Sequence, residues 1–428
     1  MGRVARRRNY GLLSAFVFFF FFAQAAAISL LSIWLTQTLG LNGVQVGTVF
    51  SANFIAAMMS QPVYGYLSDR IGVGRAVPLA IAVLVTIAGL FFTFVYGPLL
   101  KSSVMLGAAV GGAYIGITFV AGSYAIESYV DRISRRDGFE YSRARLWGSL
   151  GFASAALFSG RLYNLDPRIN FFLASGAGLL LLPLILGVRV DGPARIDPRK
   201  ALTPRDSLAL LKDRKFWGFM VLILGVTDLY LVYDQQFPFY FSSLFPTRAM
   251  GNAMFGYLNS AQIFVEAGMM FVAPLIVRRT GATRGLLLAT AIMIVRIAGS
   301  GLAAGPVTIS MCKMLHSLEL PILLVSIFRY IAYHFDARLS STVYLVGVSL
   351  GHSVGLATLS PVAGALYDRV GFQPTYFIIA GFASIFWLAS LFALSPTPPE
   401  RPARRGTRPS PPRPACWAPP RRFETKRR

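Results

Sequence analysis

Runs of about twenty apolar residues recur twelve times along this chain of 428 residues, and they leave it few ways to fold. At about 1.5 Å per helical residue, each run can cross the ~30 Å hydrocarbon core of a bilayer. The runs lie near 10–37, 44–67, 76–97, 102–129, 143–163, 169–188, 216–243, 251–277, 284–304, 306–331, 339–364 and 373–395. Inside hydrocarbon every backbone N–H and C=O must be satisfied within its own segment, so runs of this length specify helices. The expected fold is an all-α membrane protein of about twelve transmembrane helices in two six-helix halves, over 1–188 and 216–395. A polar cytoplasmic loop, 189–215, joins them. Residues 396–428, rich in Pro and Arg, are expected to form a disordered cytoplasmic tail, inert although its basic character suits anionic lipid.

The formal charge of +23 would suit a nucleic-acid binder, but its distribution points elsewhere. If the N-terminus is cytoplasmic, Lys101, Arg161, Arg168, Arg248 and Arg369 are the basic residues of the opposite loops, and Arg296 and Lys313 lie within apolar runs. Every other Lys and Arg falls on the cytoplasmic side, as the positive-inside rule requires with both termini cytoplasmic. Basicity here encodes topology, and no nucleic-acid partner is expected. The opening Arg3, Arg6, Arg7, Arg8, the Phe18–Phe22 run and Ala23-Gln24-Ala25 resemble a signal peptide. The apolar run continues through Trp34 and Leu35, too long for such a peptide, so it reads as the first membrane helix. Cys312 and Cys416 give no disulfide framework, and three histidines without CxxC or HExxH argue against a metal site.

An internal repeat refines the architecture. Gly65-Tyr-Leu67-Ser-Asp69-Arg70-Ile-Gly72-Val-Gly-Arg75 follows the second run, and Pro274-Leu-Ile-Val-Arg278-Arg279-Thr-Gly281-Ala-Thr-Arg284 follows the eighth. Gly364-Ala-Leu366-Tyr-Asp368-Arg369-Val-Gly371 follows the eleventh, and a worn copy, Gly160-Arg161-Leu162, the fifth. Each loop comes after the second helix of a three-helix unit, so the chain reads as four triplets. Nested repeats of this kind are a transporter architecture, with the substrate site near the midplane between the halves.

Charge inside the apolar runs marks that site. Lys313, His316 and Glu319 recur at steps of three between Val307 and Ile327, and Arg296 lies in the run before. Steps of three turn about 300° each, so the trio falls within roughly a third of a helix circumference. A charged group at the bilayer centre costs at least ~2.5–3.5 kcal/mol, so these residues are not there for stability. A base, an imidazole and a carboxylate on one buried face suit the handling of protons and a polar substrate.

The Gly65/Asp69/Arg70/Gly72/Arg75 loop is the signature of the major facilitator superfamily, which the chain resembles over 10–395. In that superfamily the loop ties helices across the cytoplasmic gate. Glu127, Ser134-Arg135-Arg136, Phe139-Glu140-Tyr141-Ser142-Arg143-Ala144-Arg145, Asp234-Gln235-Gln236, Arg296 and the Lys313/His316/Glu319 face resemble the lactose permease and its relatives, the oligosaccharide:proton symporters. Phe255-Gly256-Tyr257-Leu258-Asn259-Ser260 with Gln262 and Glu266, Lys212-Asp213-Arg214, Ile169-Asn170-Phe171 and Phe335-Asp336 before Leu339-Ser340-Ser341-Thr342 resemble the sucrose permease branch.

The resemblance implies a role for each residue. Glu319 is the expected proton carrier; low dielectric disfavours the charged form of a carboxyl, which can then hold a proton and release it when Arg296 or water approaches. His316 either relays a proton or hydrogen-bonds the sugar, the second being preferred. Lys313 and Asp234 form a buried pair, either structural or gating. Glu127 and Arg145 bracket the sugar's hydroxyls with charge-assisted hydrogen bonds. Phe152, where the lactose branch has a Trp, either packs on the sugar's C–H face or fills the core. Gln262, Glu266 and Asn259 complete the substrate side.

Departures from the lactose branch also inform. Its charge pair between the seventh and eleventh helices is Leu231 and His352 here, and its eighth-helix Glu is Ile263, with Glu266 one turn later, as in the sucrose branch. Asp228 could pair with His352, and Gln24 either faces the cavity or bonds between helices. The expected function is disaccharide uptake coupled to a proton by a monomeric transporter of the bacterial inner membrane, surrounded by lipid and using no cofactor, ATP or metal. Sucrose is the first substrate and a galactoside the second; an efflux antiporter or a non-transporting sugar sensor suits the polar cavity and short tail less well. No nucleophile–base arrangement points to an enzyme.

Overall fold

The computed structural model describes residues 3–71, 74–189, 212–335, 343, 348 and 351–399. Gly72, most of 189–215 and nearly all of the 396–428 tail therefore lie outside the described residues, as do the side chains of Asp69 and Arg70.

Twelve helical segments account for the apolar runs: α1 (Arg6–Thr38), α2 (Gly43–Ile71), α3 (Ala76–Thr86 with Ala88–Ser102, bent by 43°), α4 (Val104–Asp137), α5 (Tyr141–Leu165), α6 (Pro167–Gly187), α7 (Arg214–Ser243), α8 (Arg248–Thr280), α9 (Ala282–Leu302), α10 (Pro306–His334), α11 (Gly351–Val370) and α12 (Phe372–Ala393). Among the described residues nine are long and apolar enough to span a membrane singly, and α3 is a tenth if its bent halves are one span. Helices α5 and α11 are less apolar, α5 carrying Arg143, Arg145 and Arg161 and α11 ending in Asp368 and Arg369. Large apolar residues such as Phe271, Leu165 and Phe392 face outward, as lipid-bathed surfaces require.

Two sequence expectations need correction. The repeated motif is not a loop throughout: Gly65 to Ile71, Pro274 to Thr280 and Gly364 to Val370 are the last turns of α2, α8 and α11, and Gly160 lies inside α5. The repeated glycine is the helix stop. Gly281 and Gly371 have φ of +88° and +86°, a region that only glycine enters without cost. Nor is α10 a single α-helix, because it breaks at Leu315, between Lys313 and His316. The turn there is closed by three-residue bonds, Leu315 N to Cys312 O and Leu318 N to Leu315 O. Three residues per turn eclipse positions three apart, so the break aligns the trio more closely than an α-helix would.

The other leading helices of the triplets are interrupted too. Wide π-helical turns occupy Trp34–Thr38 in α1, Gly116–Ala121 in α4 and Ile223–Thr227 in α7, and another, Phe91–Tyr96, lies in α3.

The halves meet mainly where α2 packs along α11 and α5 along α8. A Cβ on Gly47 would strike the backbone of Ser360 and Pro361, and one on Gly256 the carbonyl of Ala156. Cross-half hydrogen bonds cluster at that end: Gly43 N and Val44 N donate to Asp368 (2.7 and 2.9 Å), Asn164 Nδ2 to Ala249 O (2.6 Å) and Asn252 Nδ2 to Asn164 Oδ1 (3.1 Å). Gly65 lies 18 residues, five turns, beyond Gly47 on the same face of α2. Nothing approaches within 4 Å of its Cβ position. Among the described residues, the halves are joined at the end away from the N-terminus and part toward the end where α1 begins.

Candidate functional site

Between the halves lies a cavity of about 370 Å³, within the ~300–1,000 Å³ of small-molecule sites. Its wall is built by α1 (Phe21, Gln24, Ser29), α5 (Arg145, Ser149, Phe152), α7 (Asp234, Pro238), α8 (Asn259, Gln262, Ile263, Glu266) and α10 (Lys313, His316).

On the C-terminal side, five ionisable residues from three helices form one cluster. Arg296, fully buried on α9, reaches Asp234 Oδ1 of α7 through Nη1 at 3.0 Å and Glu319 Oε1 of α10 through Nη2 at 2.9 Å. Lys313 Nζ donates to the same Asp234 oxygen at 2.7 Å, and His316 Nδ1 lies 2.8 Å from Glu319 Oε1. Asp234 is thus not an exclusive partner of Lys313, because it bridges Lys313 and Arg296. Two carboxylates face one guanidinium and one ammonium, so the cluster is formally neutral without a proton on Glu319, which is how a low-dielectric site holds four charges. The faces of Tyr233 (4.8 Å) and Tyr230 (5.6 Å) receive the Arg296 guanidinium, and the Phe237 ring lies 5.2 Å from Lys313 Nζ.

The cluster is layered. Asp234, Lys313 and His316 form cavity wall, whereas Arg296 and Glu319 sit behind them with no exposed side-chain surface. Arg296 Nε and Glu319 Oε2 are buried with no hydrogen-bond partner among the described residues.

Across the cavity, Arg145 Nε of α5 donates to Glu127 Oε1 of α4 at 2.6 Å, and both side chains keep about a third of their surface open. The Phe21 ring lies 4.2 Å from the Arg145 guanidinium, and Arg145 Nη1 approaches Ser149 Oγ at 3.5 Å. Phe152 stands in the same wall. Gln262 brings a buried Oε1 with no partner among the described residues, an acceptor left for a ligand, and Glu266 and Asn259 stand beside it. Gln24 does both things expected of it, lining the cavity and donating from Nε2 to Phe119 O at 3.0 Å.

Away from the cavity, Asp228 of α7 is hydrogen-bonded to His352 Nδ1 of α11. Of the motif residues, Arg75 Nη1 donates to Leu186 O at 3.0 Å within its own half. Sequence reasoning missed Phe21 and Ser149, which have no charge to mark them, and Tyr230 and Tyr233, which stand four residues and one residue before Asp234.

The family profile described as the LacY proton/sugar symporter matches residues 3–404. The raffinose permease of Escherichia coli is 39% identical over 400 residues, 92% of this chain and 94% of the relative. The melibiose permease of Enterobacter cloacae is 39% identical over 394 residues, 90% and 93% of the two chains. The sucrose permease of Escherichia coli is 34% identical over 392 residues, 91% and 94%. Among solved structures, the nucleoside transporter NupG superposes with a TM-score of 0.75 over 90% of this chain and 98% of its own, at 15% identity, which shows a shared fold alone.

Proposed function

We propose, from the premise that the chain belongs to the LacY family of proton/sugar symporters and has the major facilitator fold, that it imports a disaccharide with a proton by alternating access, sucrose first among the candidates. The coarser activity, sugar:proton symport by a multi-pass membrane transporter and not an enzyme, follows from the family itself. The observation that carries the rest is the layering: a neutral charge cluster whose cavity wall is His316, Lys313 and Asp234, set opposite the Arg145–Glu127 fork.

The sugar's hydroxyls bond to Arg145 and Glu127, with Gln262, Asn259 and Glu266 supplying further donors and acceptors and Phe152 an apolar face for the ring's C–H surface. His316 joins this layer to Glu319, so a sugar that draws the imidazole toward itself loosens the contact of Glu319 with its neighbours. The free Oε2 of Glu319 is where the transported proton is carried. The proton gradient drives accumulation, with no nucleotide, cofactor or metal. With both termini cytoplasmic, in the inner membrane, the splayed end faces the cytoplasm and the structure is inward-open. The gating role assigned to Gly65, Asp69, Arg70, Gly72 and Arg75, and a monomeric assembly in lipid, belong to the same proposal.

A galactoside is the second substrate, favoured by the 39% identity to the raffinose and melibiose permeases. Counterflow in proteoliposomes with labelled sucrose, raffinose, melibiose and lactose, with the pH gradient varied separately, decides both points. Exchange and gradient-driven accumulation of sucrose are expected; accumulation of a galactoside alone moves the substrate to the second candidate. Failure to accumulate any of them under an inward proton gradient overturns disaccharide uptake.

A further inference from the structure

Asp228 is a carboxyl that the coupling cluster does not use. Its side chain has no exposed surface, it stands immediately after the wide turn Ile223–Thr227 of α7, and Oδ1 is bonded to His352 Nδ1 of α11. Oδ2 is buried with no hydrogen-bond partner among the described residues. Space for the carboxyl is made on α11, because any Cβ at Gly355 would overlap it. The His352 side chain keeps 20% of its surface open, so the imidazole is the accessible member of the couple.

The charged groups nearby are committed elsewhere. On α7 itself Asp234 lies six residues, roughly 9 Å along the axis, beyond Asp228, and it bridges Arg296 of α9 and Lys313 of α10. His316 and Glu319 of α10 pair with each other, and Glu266 of α8 faces the cavity. The other ionisable groups of α11 among the described residues, Tyr367, Asp368 and Arg369, stand at its far end; from α12 comes Tyr376, packed on Tyr233. Among the described residues, the partner within ion-pair distance of Asp228 is His352.

A buried carboxylate without a neighbouring cation is costly. An Asp–His couple is electrically neutral only when it holds one proton, on either member. The coupling cluster differs, being neutral with no proton on Glu319.

We propose that Asp228 and His352 form a second proton-binding site, separate from Glu319, that takes its proton through His352 from the end of the bundle open in this structure. Closing that end brings α2 against the stretch of α11 that carries His352 and withdraws the imidazole from water, so the site binds its proton differently in the two states. Proton binding thereby biases the opening equilibrium, by up to about tenfold in the population ratio per pH unit for one proton.

This inference rests on alternating access but not on which sugar is carried or on the role of Glu319, and its test uses no sugar. The open-end separation is measured by distance labels on α2 and α8 of the purified full chain, across pH 5–9. In a Glu319→Gln background a pH-dependent shift of the open population is expected to persist. Adding Asp228→Asn with His352→Asn, which keeps a hydrogen bond but no titration, is expected to flatten it. Gly355→Ala, which alters neither titrating group, is expected to displace its midpoint. The inference is overturned if Glu319→Gln alone removes the dependence, or if the Asp228→Asn/His352→Asn pair leaves it intact, which would assign it to His316 or another group. Gel-filtration profiles and far-UV spectra matching the parent establish that the variants are folded.

Discussion

His316 Nδ1 lies 2.8 Å from Glu319 Oε1, and the imidazole, rather than the carboxylate, forms the cavity wall. A ligand in the cavity can therefore act on the glutamate through the histidine, or at one remove through Asp234 and Arg296. Glu319→Gln keeps the shape and one acceptor but cannot release a proton. Counterflow, which needs no net proton movement, is expected to stay within about twofold of the parent, while gradient-driven accumulation falls to a ratio near one. Equal loss of both activities would make Glu319 a structural or sugar-binding residue.

Asp234 holds two cations at once. Asp234→Asn leaves Arg296 and Lys313 against Glu319 alone, and an unpaired buried charge costs about 3–5 kcal/mol. A marked fall in melting temperature and in membrane yield is expected. Adding Lys313→Met restores neutrality and should recover most of the stability. Thermal unfolding in detergent reads both, and a pair variant no better than the single would show that charge balance is not what Asp234 supplies.

Arg145 presents a planar fork that meets Glu127 on one edge and the Phe21 ring on its face. Lysine keeps the charge but loses both geometries. Arg145→Lys is expected to weaken equilibrium sugar binding at least tenfold, about 1.4 kcal/mol, with melting temperature nearly unchanged. Unaltered affinity by calorimetry would remove Arg145 from the sugar site.

Asp368 closes one end of the molecule by accepting from two backbone N–H groups at the start of α2, where the helix dipole adds to the attraction. Hydrogen bonds to a charged group contribute roughly 1.5–3 kcal/mol each. Asp368→Ala is expected to raise the population open at that end, seen as faster labelling of a cysteine placed at the buried Leu41 by a membrane-impermeant maleimide. No change in labelling rate would make the contact incidental.

Much of this was legible in the sequence because membranes make polar residues conspicuous. The twelve apolar runs, the repeat glycines, and Arg296, Lys313, His316 and Glu319 stand out against hydrocarbon. The bond between Asp228 and His352 was suggested by the resemblance, which makes Leu231 and His352 facing positions, together with the three-residue step from Asp228 to Leu231. What stayed hidden depends on where helices cross: Asp234 serving two cations, the layering of His316 over Glu319, and Phe21 on Arg145. The break at Leu315 had no composition signal, since the nearest proline, Pro321, comes six residues later. The motif looked like a loop because its Gly, Asp and Arg content resembles one, yet in the copies ending at Gly281 and Gly371 that glycine alone leaves the helix.

A wide turn holds one residue more than the α-helical repeat, so everything beyond it is rotated by about 100°. Removing a single residue from Ile223–Thr227 would swing Asp228 and Asp234 away from their partners, or else carry the preceding part of α7 out of its packing against α12. The spacing of charges along such a helix is therefore meaningful only together with the number of its wide turns. Two related chains could place an identical cluster in space while their aspartates stand one position apart in an alignment, and a gap-free alignment across that turn would then pair the wrong residues.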